Sequence, residues 1–301
     1  MGQKTLIVIT GPTGSGKTSL AIALAPALGC DIISADSRQL FHEIPIGTAA
    51  PSAEERAAAP HHFVGTLNLT DYYSAAMFER DVMELLPQLW SRGDYVVMAG
   101  GSMMYVDAVV NGIDDIPTVS DDNRRRAMAL YDQKGLQGLR LELLELDPVY
   151  YREVDLNNHR RLIHAIEIIY ESGRPYSELR TGEKKERDFR ILKFAIDLPR
   201  EELFARINAR VDTMIESGLE QEVARVVHLR HLNSLNTVGY KELFAVIDGT
   251  MTRPEAIARI GKNTRVYAKK QLTWLKRDSS VRWIKPGSSA VDEILRQVMS
   301  D

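Results

Sequence analysis

The 301-residue chain has a single cysteine, Cys30, so no disulfide can form within it and the single thiol suits a reducing compartment. It has no apolar run near the ~18 residues that a membrane-spanning helix requires, and the run after Lys4 is too short for a secretory signal. These absences predict a soluble, cytoplasmic protein without membrane contact. An excess of positive charge is also missing. With 38 Lys and Arg against 41 Asp and Glu the net charge is −3, so any nucleic-acid partner has to be held by local basic patches and not by the field of the whole molecule. His42, His61, His62 and His159 lack a ligand-like spacing to cysteine, which predicts no structural zinc. There is no internal repeat and no low-complexity tract. What remains is ordinary for a globular protein: 44% apolar and 26% charged residues, at a length that suggests two domains or one large domain with an insertion.

One stretch organises this chain. Gly11 to Thr18 reads GPTGSGKT and fits the P-loop pattern GxxxxGK[ST] at every fixed position. The apolar, β-branched TLIVIT precedes it and the Ala/Leu-rich TSLAIALAPAL follows, which is the strand, loop and helix that the motif requires. Gly11, Thr13, Gly14, Ser15 and Gly16 then form the phosphate cradle, with backbone N–H groups at a helix N-terminus favouring an anion. Lys17 adds a full charge, and the Thr18 hydroxyl is placed to ligate magnesium. A P-loop names a ligand group and leaves the reaction open.

Asp31 to Ala35 reads as a second strand and ends in Asp36-Ser37-Arg38-Gln39; in an open parallel sheet such residues line the ligand crevice. Leu40 to Asp71 reads as irregular structure with one short helix near Ser52 to Ala59. Tyr73 to Arg92 has helical spacing, capped by Ser74 or Asp71 and stopped by Gly93. Tyr95 to Ala99 is a third strand that runs into Gly100-Gly101-Ser102 and a helix from Met103 to Val110. From Pro117 to Glu186 only helical patterns appear, which predicts an inserted helical domain over 117–188 between two parts of a core, 1–116 and 189–301. Arg190 to Asp197 returns to the sheet. Helices follow over Glu201 to Ser217 and Leu219 to Arg230, a long basic helix over Pro254 to Lys276, a last strand over Val281 to Ile284 and a terminal helix from Ser289. The fold class is therefore α/β, a P-loop NTPase-like parallel sheet flanked by helices, with an all-helical insertion.

The third strand ends Val97-Met98-Ala99-Gly100, without the carboxylate that P-loop hydrolases use to hold the magnesium shell. That counts against nucleotide hydrolysis. It leaves Asp36 as the carboxylate best placed beside the phosphates, either as a general base or as a cap or magnesium-shell ligand. Gly100, Gly101 and Ser102 bring backbone and a hydroxyl to the same ligand, or form a bare tight turn.

Taken together, GPTGSGKT, DSRQLF…IGTAAPS, His61-His62-Phe63, AGGSMMYVDAVV and KKQLTWLKR resemble, nearly end to end, the tRNA dimethylallyltransferase (tRNA isopentenyltransferase) family. The resemblance implies a P-loop that holds the diphosphate of dimethylallyl diphosphate, with Mg2+, and transfer of the dimethylallyl group to the exocyclic amine of the adenine that follows the tRNA anticodon. It implies Asp36, Lys17, Thr18, Ser102 and Arg210 as catalytic residues, with Arg206 the rival of Arg210. It places Ser37, Arg38 and Gln39 beside the target base, Gln39 having a carboxamide suited to reading an adenine edge. For the anticodon stem-loop it implies Arg124, Arg160, Arg161 and His164, then Thr237, Gly239, Tyr240 and Lys241, then Lys270, Gln271 and Trp274 within the run from Lys269 to Arg277. Taken singly, such charges are usually solvated helix faces. Ser102 stands where the family usually has Thr, His164 where an arginine is common, and Lys270 where an arginine is frequent, which keeps the charge but loses bidentate geometry. The absence of a Cys/His extension after the terminal helix points to a bacterial-type enzyme, expected as a monomer. Two other readings stand beside it: an ATP-dependent small-molecule kinase, and an RNA-binding module with an inactive P-loop.

Overall fold

The run Thr5–Thr10 forms β1, buried at every residue, inside a six-stranded parallel sheet. In the computed structural model, which describes residues 3–300, the other strands are β2 Ile32–Ser34, β3 His61–His62, β4 Tyr95–Ala99, β5 Arg190–Ile196 and β6 Val281–Ile284. Their order is β3-β2-β4-β1-β5-β6, with Ile7 opposite Val97 on one side of β1 and Leu192 on the other. A strand covered on both faces reads as a continuous apolar run and not as an alternation, and β1 feeds a core on each side. Leu6 and Val8 pack with Phe78, Val82 and Leu86 of the Ala75–Trp90 helix and with Val106 and Val109 of the Met103–Asn111 helix. Ile7 and Ile9 pack with Ala21 and Leu24 of the Lys17–Leu28 helix and with Ile294 and Val298 of the Ala290–Ser300 helix.

The expected strands and helices appear with their ends moved by a few residues. Ser74 is the cap of the Ala75–Trp90 helix, its hydroxyl accepting from the Met77 N–H. The helices Pro45–Thr48 and Tyr240–Ile247 were not expected, and neither was β3, since His61–His62 fell in a stretch read as irregular. Two residues carry no periodicity, and this strand exists because Ile32 and Ile33 pair with it and because His62 Nε2 lies 2.8 Å from the Asp31 carboxylate. A third core gathers Val211, Val223, Leu243, Phe244 and Ile260 from the helices Arg200–Glu216, Leu219–Val226, Tyr240–Ile247 and Arg253–Leu275 around Phe41 and Ile44. Among the described residues no helix is long and apolar enough to cross a membrane.

The chain divides into two compact units, one comprising the chain up to Val110 and from Arg187 onward, the other Asn111–Glu186. The second unit begins at Asn111, ahead of the insertion boundary expected at 117. Its helices Asp121–Leu146, Pro148–Glu153, His159–Ser172 and Tyr176–Leu179 enclose a core of their own around Leu139, Leu143, Leu162 and Ile166. The buried Asp147 carboxylate holds the turn between them, accepting from the N–H of Tyr150 and from both the N–H and hydroxyl of Ser177.

Candidate active site

The P-loop leaves the C-terminal end of β1 and ends at Gly16, whose left-handed φ of 94° starts the Lys17–Leu28 helix. Gly14 is needed for two reasons: its φ is 82°, and a Cβ there would sit 2.9 Å from Ile207 Cγ1. Within the loop the Ser15 N–H donates to the Pro12 carbonyl, while the Ser15 hydroxyl is buried without a hydrogen-bond partner among the described residues. Lys17 Nζ donates to the Pro12 carbonyl at 2.9 Å. Burial, then the neighbouring Arg210 guanidinium, lowers the Lys17 pKa to about 8 against the opposing pull of Asp36. A buried ammonium beside a guanidinium is chemistry suited to an anion. Arg210 reinforces the point: its pKa is also lowered, by burial first, and its guanidinium has no hydrogen bond or ion pair among the described residues. Arg206, in contrast, is exposed and pairs with Glu202 at 2.7 Å.

Opposite the P-loop, Asp36 follows β2. Its Oδ1 accepts from the N–H of Arg38 at 2.9 Å and of Gln39 at 3.4 Å, so one oxygen fixes the turn and Oδ2 remains without a hydrogen bond among the described residues. The Ser102 hydroxyl accepts from the Ser37 N–H at 2.9 Å. Gly100 brings β4 against the turn so closely that a Cβ there would run into the Ala35 carbonyl.

These groups enclose two adjoining cavities. A small one of about 80 Å³ is lined by Thr13, Lys17, Thr18, Asp36 and Arg210, among others. A larger one of about 520 Å³ adds Ser37, Arg38 and Ser102 on one side, Thr237, Gly239, Lys241 and Lys270 on the other, and an apolar wall that includes Val211, Met214 and Ile260. Thr13, Asp36, Arg210 and Tyr267 line both. Tyr267 was not foreseen, although it lies four residues before Gln271 on one face of the same helix.

Other expected contacts occupy different places. Gln271 is 3% exposed and bridges two loops: its Oε1 accepts from the Thr13 N–H at 2.8 Å and its Nε2 donates to the Gly101 carbonyl at 2.7 Å. It braces the P-loop while lining the small cavity. Gln39 is similarly occupied, accepting from Ser34 Oγ and donating to the carbonyls of Thr48 and Ala49, so its carboxamide holds the cavity wall and is not free to read an adenine edge. Tyr240 is fully buried beneath Gly47, and its hydroxyl donates to Glu222 at 2.5 Å; it supports the wall from behind. Trp274 is half-buried against two cores. Lys241 and Lys270 stay exposed at the larger cavity.

In the second unit, Arg160, Arg161 and His164 are exposed along the His159–Ser172 helix. His164 Nδ1 lies 3.1 Å from Glu167, and Arg124 approaches the same carboxylate at 4.0 Å. Glu167 thus orders a basic surface.

The fold and the site together define a P-loop α/β protein whose cationic cavity opens onto a larger one. The IPP transferase family model matches residues 39–278. The chain is 55% identical over 282 residues to tRNA dimethylallyltransferase 1 of Bacteroides thetaiotaomicron, covering 94% of this chain and 92% of that one. To tRNA dimethylallyltransferase 1 of Phocaeicola vulgatus it is 51% identical over 296 residues, covering 98% of each. The structure is similar to the full-length tRNA isopentenylpyrophosphate transferase of Bacillus halodurans, with a TM-score of 0.71, 32% identity and coverage of 99% of this chain and 96% of that one. A eukaryotic dimethylallyltransferase crystallised acting on tRNA shares the fold at a TM-score of 0.81 and 24% identity, covering 99% of this chain and 79% of that one. The chain belongs to the IPP transferase family, whose members named above are tRNA dimethylallyltransferases.

Proposed function

We propose that this protein transfers the dimethylallyl group of dimethylallyl diphosphate to the exocyclic N6 amine of the adenosine 3′-adjacent to the tRNA anticodon, releasing diphosphate. The observation that carries the reading is the Asp36 carboxylate, with one oxygen unused, at the junction of a cationic cavity and a larger one. The diphosphate occupies the small cavity, where Lys17 and Arg210 meet charge that grows on the departing oxygens and so favour the transition state over the ground state. The flipped adenine enters the larger cavity, beside Ser37, Arg38 and Ser102. As the N6 lone pair attacks the allylic carbon, the C–O bond breaks with its electron pair on diphosphate, and Asp36 takes the proton that the amine can no longer hold. Holding both reactants across one junction supplies the orientation term.

The oxygen chemistry of the loop fits magnesium. Thr18 lines the cavity, the Ser15 hydroxyl is buried and unsatisfied, and Mg2+ binds with few protein oxygens beside phosphate and water. When bound through Thr18, it would neutralise diphosphate charge. The helical insertion, 117–188, grips the anticodon arm through Arg124, Arg160, Arg161 and His164, and Lys241 and Lys270 meet RNA from the other unit. The protein acts in the cytoplasm as a monomer.

An ATP-dependent kinase is disfavoured because β4 ends at Ala99 and Gly100 with no carboxylate. Radiolabelled dimethylallyl diphosphate, Mg2+ and unmodified tRNA, followed by nucleoside analysis, test the reading. Label is expected on the adenosine beside the anticodon; no label with any tRNA pool, together with γ-phosphate transfer from ATP to a metabolite, refutes it.

A further inference from the structure

Of the four residues that line both cavities, Thr13, Asp36, Arg210 and Tyr267, the first three are accounted for by the P-loop, the proton and the diphosphate. Tyr267 is not. It is 39% exposed, and its hydroxyl makes no hydrogen bond among the described residues. Burial raises its pKa, the Asp36 carboxylate raises it further and Arg38 opposes both, so the side chain stays a neutral phenol across the working range of an enzyme.

We propose that Tyr267 is a catalytic residue whose aromatic ring covers the allylic carbon at the junction and stabilises the positive charge that gathers there as diphosphate departs. The inference rests on the dimethylallyl-transfer reading. With the diphosphate in the small cavity and the acceptor in the larger one, the carbon that exchanges partners lies at their boundary. The C–O electron pair leaves for diphosphate, the N6 pair closes the new C–N bond, and the N6 proton passes to Asp36. To the extent that departure runs ahead of attack, the five-carbon group is cationic. Of the four boundary side chains only Tyr267 presents an aromatic ring, and such a ring attracts a desolvated cation through its quadrupole. Its neutrality matters, because a phenolate at this place would capture the allyl group itself.

The test compares wild type, Tyr267→Phe and Tyr267→Leu by steady-state transfer to tRNA, with dimethylallyl diphosphate and with an analogue fluorinated on a methyl group, which disfavours the cation. Tyr267→Phe is expected to keep kcat within about threefold. Tyr267→Leu should lower kcat roughly thirtyfold, equivalent to about 2 kcal/mol, with the KM for tRNA changed less than threefold. The fluorinated donor should widen the gap between Leu and wild type. Tyr267→Met replaces Leu if that variant fails to fold. Equal losses in Phe and Leu, or a Leu variant with wild-type kcat, overturn the proposal; a wild-type protein that transfers nothing overturns the underlying reading instead.

Discussion

Replacing Gln271 by Met keeps the side-chain volume and removes both hydrogen bonds that tie the P-loop to the loop after β4. The Thr13 N–H and the Gly101 carbonyl lose partners at 2.8 and 2.7 Å. Because Gln271 is nearly fully buried, water cannot replace it freely, and each orphaned group costs about 1–3 kcal/mol. The pair amounts to about 2–4 kcal/mol after some relaxation. For a domain of this size that lowers Tm by roughly 5–15 °C. Since Thr13 forms one wall of the cationic cavity, slack in the loop should raise the KM for dimethylallyl diphosphate by about tenfold, equivalent to about 1.4 kcal/mol of misplaced loop. The KM for tRNA should stay within about twofold. Thermal unfolding and two-substrate kinetics measure both effects. An unchanged Tm with a rise confined to the KM for tRNA would refute the brace and restore Gln271 as an RNA contact.

Asp36→Asn keeps an oxygen for the Arg38 and Gln39 N–H groups but cannot take a proton; kcat should fall by about 10²–10⁴ with tRNA binding intact by filter retention, and weakened tRNA binding would point to a structural role. Lys17, with its pKa lowered to about 8 by burial and by Arg210, attracts diphosphate only while protonated. The ratio of wild-type to Lys17→Met affinity for inorganic diphosphate, measured by calorimetry, should therefore be flat below pH 7 and decline as pH rises through about 8; a ratio that climbs with pH contradicts the assignment. Arg161→Ala should raise the KM for tRNA and reduce its salt dependence by about one charge, and a loss of diphosphate affinity in its place would put Arg161 on the wrong side of the reaction.

The parts of the fold legible in the sequence are those where local chemistry and tertiary position agree. β1 is apolar from Leu6 to Ile9 because helices cover both faces, and GPTGSGKT carries its glycines where positive φ or close approach demands them. β3 was not legible, because two histidines become a strand only when Ile32 and Ile33 are there to pair with them. The site was legible to the extent that a motif stands for a backbone shape. Motif membership did not say which way a side chain turns. Gln271, Trp274, Gln39 and Tyr240 sit in segments that form the site, yet their side chains face inward as braces. Helical spacing carried a usable signal, since Tyr267 stands one turn before Gln271 on the same face of the basic helix.

The sheet order bears on what Asp36 does. Strands in a sheet lie about 4.8 Å apart. A carboxylate at the end of β4, which neighbours β1, would stand about 5 Å across from the P-loop, within reach of a metal shell on the phosphates. β4 ends instead in Ala99 and Gly100. β2 lies one strand further out, so Asp36 is set off from the P-loop strand by roughly 10 Å of sheet. Asp36 nonetheless lines the small cavity with Lys17 and Thr18 and the larger one with Ser37 and Ser102, so its carboxylate faces both places. On the proposed reading, a β4 that ends without a carboxylate leaves Asp36 to receive the proton of the acceptor amine, at the boundary between the cavities that Tyr267 also lines.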